Sequence, residues 1–263
     1  MTNMIEKAAE LLRNAEAAKS PCAPVRTFLP ADDLAAAYEV QKINAQLAVS
    51  AGRRISGKKI GLTSAAVQRQ LGVNQPDYGV LFADMEAPSG ASIAFEQVLQ
   101  PKVEAEVALV IGKELRHADT TLAELIGAVE FVLPALEIVG SRIANWDISI
   151  VDTIADNASC GAYVLGHRPV KLADVDLGMC GMALSNRGEP VSVGAGLACL
   201  GHPLNAALWL ARTMAKVEQP LQPGDVVLTG ALGPMVPVKA GETYEADING
   251  LGSVSVNFLP AAG

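Results

Sequence analysis

The chain has 263 residues, of which half are hydrophobic, 18% are charged and only 4% are aromatic. This composition predicts a globular protein with a core of aliphatic side chains, and it excludes an intrinsically disordered chain. The net charge of −8 repels polyanions, and no basic stripe offsets it, so we expect no nucleic-acid partner.

The cysteines and the apolar segments bear on the compartment. Cys22, Cys160, Cys180 and Cys199 are widely spaced and form no Cys-x-x-Cys pair, which predicts reduced thiols and not a disulfide framework or a zinc site. The first ten residues carry alternating charges, and no later stretch approaches about 18 uninterrupted apolar residues. We therefore expect a cytoplasmic protein with neither a signal peptide nor a membrane span.

A helical part is predicted at the N-terminus. Residues 5–19 carry apolar side chains on one helical stripe, and residues 31–50 form a second helix that ends at Gly52. Beyond this point, short apolar runs replace the helical period. We therefore expect an N-terminal helical part, residues 1–53, and a β-rich, metal-binding catalytic domain, residues 54–263.

The β-rich part contains strands with few helices between them. A short helix is predicted between Thr63 and Gly72, and longer helices over 121–129 and 203–217. Strands are predicted over 55–62, 79–83, 103–111, 130–139, 159–165, 179–185, 189–193, 225–229, 243–248 and 253–258. Because the helices occur at irregular intervals, an α+β fold with a mixed sheet is expected, and not a regular βαβ array.

Three carboxylates lie inside apolar strands. Glu104 and Glu106 are two residues apart, so their side chains share one face at a separation of about 6.6 Å. Glu137 lies on the next predicted long strand. Burying ionised carboxylates is costly unless they are paired or bound to a metal, and oxygen-only ligands suit Mg²⁺ or Mn²⁺. The alternatives are a solvated strand face for the pair, and for Glu137 a buried ion pair with Lys59 or Arg142.

Several common catalytic motifs are absent from the sequence. It has no His-Glu-x-x-His, no Gly-x-Ser-x-Gly, no phosphate-binding loop and no Gly-x-Gly-x-x-Gly. These absences count against histidine-bound zinc, serine-hydrolase chemistry and nucleotide cofactors. His202, directly before Pro203, is interpreted as a helix-start residue and is left out of the site.

Four further polar residues lie in turn-rich segments and are candidates for the site: Lys59, Asp77, Ser159 and Thr229. For Lys59 the alternative interpretation is a surface charge, and for Asp77 it is an ordinary turn residue. The segment from Asp152 to Gly161, which contains Ser159, is also read as turn-rich.

Six segments together resemble a known family over nearly the whole chain. They are Lys59-Ile-Gly-Leu-Thr63, Gln75-Pro-Asp-Tyr-Gly79 with Leu81-Phe-Ala-Asp-Met85, Glu104-Ala-Glu106, Leu133-Pro-Ala-Leu-Glu137, Ala155-Asp-Asn-Ala-Ser-Cys-Gly161, and Leu228-Thr-Gly-Ala-Leu-Gly-Pro-Met235. In combination they resemble the hydratase/decarboxylase family of the fumarylacetoacetase superfamily, and within it the 2-hydroxypenta-2,4-dienoate (2-keto-4-pentenoate) hydratases of bacterial aromatic meta-cleavage pathways.

This resemblance implies a fold and a metal site. The fold is α+β, with a mixed, strongly curved β-sheet core of the fumarylacetoacetase C-terminal type and an N-terminal helical part. The site holds Mg²⁺ or Mn²⁺ at Glu104, Glu106 and Glu137, and the sequence shows no departure at these positions. The resemblance also implies homo-oligomers.

The resemblance further implies a hydratase that acts on a 2-hydroxy-2,4-dienoate and yields a 4-hydroxy-2-oxo acid. We assign Lys59 to holding the anionic substrate and to proton delivery, Asp77 to activating the attacking water, and Ser159 and Thr229 to orienting the substrate.

Two alternatives remain within the same resemblance. Sister decarboxylases that act on 2-oxo-3-hexenedioate (4-oxalocrotonate) share the three glutamates and the lysine, but Ala158-Ser-Cys-Gly161 follows the hydratase pattern. The chain could also serve chiefly as an assembly partner of the pathway decarboxylase. The length of the substrate tail is left open.

Overall fold

The computed structural model describes residues 2–65, 68–69 and 73–260. The helices whose bounds lie within those residues are α1 (Thr2–Ala18), α2 (Leu34–Ser50), α3 (Leu122–Ala128), α4 (Ile150–Ala155) and α5 (Pro203–Lys216). The strands are β1 (Ile55–Gly61), β2 (Asp77–Phe82), β3 (Glu86–Pro88), β4 (Ser92–Ile93), β5 (Lys102–Ile111), β6 (Val129–Val139), β7 (Cys160–Leu165), β8 (Gly181–Asn186), β9 (Glu189–Ala195), β10 (Val226–Ala231), β11 (Val236–Pro237), β12 (Thr243–Ile248) and β13 (Gly252–Phe258).

The helix starts are set by capping groups. The second helix begins at Leu34 and not at 31, because the Asp33 carboxylate accepts a hydrogen bond from the Ala36 amide at 2.9 Å. His202 is confirmed as a helix-start residue, since its Nδ1 accepts a hydrogen bond from the Leu204 amide. The short helix predicted between Thr63 and Gly72 falls largely on residues 66–67 and 70–72, which lie outside the described residues.

Helix α4 was not predicted, because its segment was read as turn-rich. Ile150, Val151 and Ile154 are buried and form its apolar side. Its start carries a capping box in which the Ser149 amide and hydroxyl both donate to the Asp152 carboxylate. This Ser-x-x-Asp spacing was the sequence signal that the turn interpretation overlooked.

The larger sheet has the strand order β2-β1-β10-β5-β6-β7-β3, with β11 also paired to β5. The β1/β10 and β3/β7 pairs are parallel, and the remaining pairs are antiparallel. A second sheet has the order β4-β13-β12-β8-β9. The mixed α+β fold with a helical N-terminus is therefore confirmed, and the strong curvature of the sheet stays a prediction.

The N-terminal helices pack on the connection between β6 and β7. Buried side chains of α1 and α2 share a hydrophobic cluster with Ile143 and with the apolar side of α4. The Gln41 amide of α2 also donates to the carbonyls of Tyr78 and Ile154. The division of the chain at residue 53 stays a prediction.

All four cysteines are free thiols in the structure. Within the part of the chain that the structure describes, no helix combines the length and the apolar character needed to span a membrane.

A buried ion pair closes the connection between β6 and β7. The Arg142 guanidinium and backbone amide both donate to the Asp156 carboxylate, and the guanidinium also donates to the carbonyls of Asp156 and Cys160. Arg142 is 7% exposed and Asp156 is 3% exposed. Without Asp156, the buried Arg142 guanidinium would keep the exposed Glu16 carboxylate, 3.9 Å away, as its counter-charge, which is a costly exchange.

We expect Asp156→Asn to lower the free energy of unfolding by about 3–5 kcal/mol, because it leaves the buried Arg142 guanidinium with the more distant and exposed Glu16 carboxylate as its counter-charge. The matched control is Asp84→Asn, which removes the same charge from the exposed Arg53–Asp84 pair and should cost less than about 1 kcal/mol. Urea unfolding measures both, and equal effects of the two substitutions would contradict the prediction.

Candidate functional site

The register of β5 and β6 brings the three glutamates together. Glu104 lies directly opposite Glu137 in the antiparallel pair, and Glu106 lies two residues further along the same face. One carboxylate oxygen from each of the three lies within 4.8 Å of the others. Glu106 and Glu137 are fully buried and Glu104 is half-buried, so the alternative of a solvated strand face is excluded.

Most of the carboxylate oxygens of Glu106 and Glu137 accept no hydrogen bond from the protein. Glu106 accepts one hydrogen bond from the Gly230 amide at 2.8 Å, but its other oxygen and both oxygens of Glu137 have no hydrogen-bond partner. Buried acceptors left in this way carry a large desolvation cost. A divalent cation fits this donor set, because it would take up the free lone pairs and offset the mutual repulsion.

Burial and like charge act together on these side chains. Burial, with the charge of Glu137 adding to it, raises the pKa of Glu104 to about 7. Burial also raises the pKa of Glu106 well above its usual range, and Glu137 and Glu104 raise it further. Glu104 and Glu106 are thus difficult to ionise without a compensating cation.

Lys59 supplies part of that compensation. Its Nζ lies 3.2 Å from Glu137 Oε1 and donates a hydrogen bond to the Ala158 carbonyl at 2.8 Å. Burial lowers the pKa of Lys59, but the surrounding carboxylates, Glu137 first, outweigh burial and raise it, so the side chain is an ammonium. The ion pair predicted as an alternative for Glu137 therefore exists, but one ammonium cannot neutralise the whole cluster.

Asp77 completes the charged part of the site. It is buried on β2 opposite Gly61, and burial raises its pKa to about 6 while Lys59 opposes the rise. A Cβ on Gly61 would lie 2.3 Å from Asp77 Oδ1 and 3.4 Å from Lys59 Nζ. The absence of a side chain at Gly61 is what lets the Asp77 carboxylate approach Lys59.

A cavity of about 320 Å³ opens onto these groups. Its polar walls come from Lys59, Asp77, Lys102, Glu104, Thr63, Ser64, Thr153 and Ser159, and its apolar walls include Leu62, Val139, Trp146, Ile148 and Met235. Glu106 and Glu137 lie beside Glu104 on the same sheet face. The Ser159 hydroxyl lies 3.2 Å from that of Thr153 and is close enough to share a hydrogen bond.

Thr229 is placed differently from the other predicted residues. It is fully buried, its hydroxyl donates to the Val107 carbonyl, and it is not among the residues that line this cavity. Its predicted contact with substrate therefore finds no support in the geometry. The segment acts on the site through the next residue, whose backbone amide donates to Glu106.

The sequence reasoning named the segment around Ser159 but missed its backbone conformation. Asn157, Ala158 and Ser159 have φ values of +53°, +49° and +58°, so three successive residues other than glycine lie in the left-handed region. The Asn157 side chain accepts a hydrogen bond from the Val80 amide and donates one to the Val80 carbonyl. These two hydrogen bonds hold the segment against β2. This conformation turns the Ala158 carbonyl toward Lys59. The only local signal was the tolerance of asparagine for this backbone region.

Comparisons with known proteins agree on the family. The fumarylacetoacetate (FAA) hydrolase C-terminal family matches residues 43–258. The chain is 57% identical over 260 residues to the TodF product hydratase of Pseudomonas putida F1, covering 99% of this chain and 97% of that one. It is 55% identical over 253 residues to 2-keto-4-pentenoate hydratase 2 of Dechloromonas aromatica, covering 96% and 97%.

A solved structure is also similar. The 4-oxalocrotonate decarboxylase from Pseudomonas putida G7, complexed with magnesium and adipate, matches with a TM-score of 0.94 and 34% identity, covering 98% of each chain.

We expect Glu137→Gln to weaken Mn²⁺ binding by more than about 100-fold, since losing a ligand costs more than losing an outer hydrogen-bond partner, which costs about 10–100-fold. In EDTA, Glu106→Gln should raise the free energy of unfolding, because it removes one of three clustered charges and leaves the Lys59–Glu137 ion pair intact. Electron paramagnetic resonance titration and urea unfolding measure the two effects.

The control for this prediction is Glu130→Gln, which removes the same charge from an exposed position on the same strand. It should change neither quantity. Unchanged Mn²⁺ affinity in Glu137→Gln would contradict the assignment of the metal ligands.

Proposed function

The chain belongs to the fumarylacetoacetate hydrolase C-terminal family, and we propose that it is a metal-dependent hydratase that adds water to a 2-hydroxy-2,4-dienoate in aromatic meta-cleavage catabolism. The observation that carries this proposal is the cluster of Glu104, Glu106 and Glu137 beside a cavity lined by Lys59 and Asp77. The relatives at 57% and 55% identity, both named hydratases, support the reaction type.

The second candidate is a decarboxylase of the same family. It is favoured by the overall similarity to the 4-oxalocrotonate decarboxylase, but the identity there is 34% and lies well below that to the hydratases. The apolar walls of the cavity, with Leu62, Ile148 and Met235, also suit an uncharged substrate tail better than a second carboxylate. We therefore place hydration first.

Glu104, Glu106 and Glu137 would hold Mg²⁺ or Mn²⁺, whose carboxylate-rich sites leave positions open for substrate oxygens. When bound, the ion supplies Lewis-acid polarisation of the substrate's C2 oxygen. The half-buried Glu104 lines the cavity, so the open side of the site faces the space that substrate would occupy.

The reaction needs two proton transfers to carbon and one water addition. For 2-hydroxypenta-2,4-dienoate, protonation at C5 with loss of the C2 hydroxyl proton gives 2-oxopent-3-enoate. Water then adds its hydroxyl at C4, and a proton added at C3 gives 4-hydroxy-2-oxopentanoate. A methyl-extended dienoate would follow the same course. We assign Lys59, as a buried ammonium, to stabilising negative charge on the substrate and to delivering a proton.

Asp77 is assigned as the general base for the attacking water. With a pKa near 6 it is mostly ionised at neutral pH, yet it is a stronger base than an ordinary aspartate. Ser159 lines the cavity and presents a hydroxyl that can orient the substrate. The burial of Asp77 and Lys59 keeps both groups out of bulk water, which strengthens their electrostatic action.

The oligomeric state of the chain is predicted from the family resemblance alone. We propose a homo-oligomer that can also associate with the pathway decarboxylase. Exposed apolar side chains such as Met179, Val193 and Leu197 support an interface on this chain. Sedimentation velocity of the purified chain, alone and with that decarboxylase, tests both, and a monomer in both runs would defeat them.

We expect EDTA to abolish turnover of 2-hydroxypenta-2,4-dienoate, and added Mg²⁺ or Mn²⁺ to restore it with formation of 4-hydroxy-2-oxopentanoate. Loss of the dienol ultraviolet absorbance gives the rate, and chromatography identifies the product. Full activity in EDTA would refute the metal role. Release of CO₂ from 2-oxo-3-hexenedioate without hydration of the dienoate would favour the decarboxylase.

Asp77→Asn should separate the two stages of the reaction. We expect ketonisation to 2-oxopent-3-enoate to persist while hydration slows by about 10²–10⁴-fold, the usual contribution of a general base. Lys59→Met should slow both stages. Proton NMR in D₂O reports deuterium entry at C5 separately from formation of the C4 alcohol.

The control for these variants is Asp119→Asn, at an exposed position away from the cavity, which should behave as the wild type. If Asp77→Asn lost ketonisation and hydration equally, the assignment of Asp77 to water activation would be wrong.

A further inference from the structure

A second lysine lines the cavity and is not used by the mechanism above. Lys102 Nζ lies 4.0 Å from the centroid of the Trp146 ring, and both side chains line the cavity. Among residues 2–65, 68–69 and 73–260, the Lys102 ammonium has neither an ion-pair nor a hydrogen-bond partner. The ring interaction leaves its N–H donors free for a ligand.

The position of Lys102 on β5 directs it toward the site. It precedes Glu104 by two residues, so it shares the sheet face that carries the metal-ligand cluster. Its partner across the sheet is Val139, which also lines the cavity. Lys102 is half-buried, and the charge of Glu104 on the same face acts on it although the two side chains form no ion pair.

Trp146 is held in place by the residue two positions before Lys102. The Trp146 indole donates to the Gln100 carbonyl at 3.0 Å, and the Gln100 side chain accepts from the Asn145 amide at 2.8 Å. The Gln100 side chain also donates to the carbonyls of Ser141 and Ile143. These bonds fix the ring that the ammonium rests on.

The backbone around this ring is strained. Gln100, Asn145 and Trp146 have φ values of +51°, +60° and +54°, although none of them is glycine. Such conformations persist only where the surroundings enforce them, and they concentrate at ligand-binding sites. The strain and the hydrogen bonds are independent of the charge of Lys102, and both point to a defined position for the ammonium.

The charged groups of the site, with a divalent ion bound, have a net negative charge that another cation would reduce. A divalent ion and Lys59 together carry three positive charges, against four carboxylates from Glu104, Glu106, Glu137 and Asp77. An anionic substrate would add at least one more negative charge. Among the described residues that line the cavity, Lys102 is the remaining cation.

We propose that the Lys102 ammonium, positioned by Trp146, binds the carboxylate of the 2-oxo or 2-hydroxydienoic acid substrate. The inference rests on the proposed function for the identity of the substrate. Hydrogen bonds between charged groups are worth about 1.5–3 kcal/mol, which corresponds to about 10–150-fold in affinity. Lys102 is therefore a substrate-binding residue that sets the requirement for a carboxylate.

The test compares Lys102→Met with Lys102→Arg and with the control Lys113→Met, which removes a lysine from an exposed site just beyond β5. The probe is 2-oxopentanoate, a saturated 2-oxo acid that cannot be hydrated, titrated calorimetrically with Mg²⁺ present. We expect Kd to rise about 10–150-fold in Lys102→Met, a few-fold at most in Lys102→Arg, and not at all in Lys113→Met. Pentan-2-one, which lacks the carboxylate, should bind all variants equally weakly.

A spectroscopic measurement separates binding from a merely structural role. The chain has two tryptophans, so Trp209→Phe leaves Trp146 as the single reporter. Because a bound carboxylate draws the ammonium away from the ring, 2-oxopentanoate should change Trp146 emission in Trp209→Phe but not after Lys102→Met is added. In turnover assays, KM should rise with little change in kcat.

The outcomes are decisive in each direction. Wild-type affinity of Lys102→Met for 2-oxopentanoate would overturn the proposal, whatever its activity. If Lys102→Met failed to fold, Trp146→Leu, which keeps the ammonium but removes its ring, should raise Kd by about 2–5-fold, and no change would overturn the proposal. If the wild type hydrated no dienoate, the proposed function would be wrong. The affinities of the wild type and the Lys102 variants for 2-oxopentanoate would still test the role of Lys102 separately.

Discussion

The repulsion among three buried carboxylates is the constraint on which the rest of this structure depends. Glu104, Glu106 and Glu137 approach within 4.8 Å of one another, and two of them have no contact with solvent. Such a cluster destabilises the protein unless cations offset it. Lys59 and one backbone amide offset part of it, and a divalent ion would offset the remainder. The site is therefore built at the expense of the stability of the metal-free protein.

Two glycines make the close approaches around this cluster feasible. Gly61 leaves space for the Asp77 carboxylate beside Lys59, where any Cβ would collide with Oδ1. Gly230 has a φ of +112°, and a Cβ there would lie 2.2 Å from Thr63 Oγ1. That backbone conformation lets its amide donate to Glu106. A side chain at Gly61 would displace the Asp77 carboxylate, and a side chain at Gly230 would displace Thr63, which lines the cavity.

The sequence was sufficient for the parts that depend on local pattern. The two-residue spacing of Glu104 and Glu106 in an apolar run placed them correctly on one strand face, and Glu137 stood out among apolar neighbours. The pairing of Glu104 with Glu137 could not be read in this way, because strand register is set by tertiary contacts. Thr229 shows a similar limit: the motif that contains it does not show that its hydroxyl already donates a hydrogen bond to the Val107 carbonyl.

The connection between β6 and β7 joins the site to the N-terminal helices. One side of this segment gives Trp146, Ile148 and Ser159 to the cavity wall, and the other side packs Ile143 and α4 against the helices. The Arg142–Asp156 pair joins the two ends of the segment. Residues 145–146, near its start, and 157–159, at its end, have left-handed backbone conformations, so their strain must be balanced by this packing. The N-terminal helices thus stabilise the cavity wall without contributing a residue to it, and loosening them would relax the backbone that positions the Lys59 and Lys102 contacts.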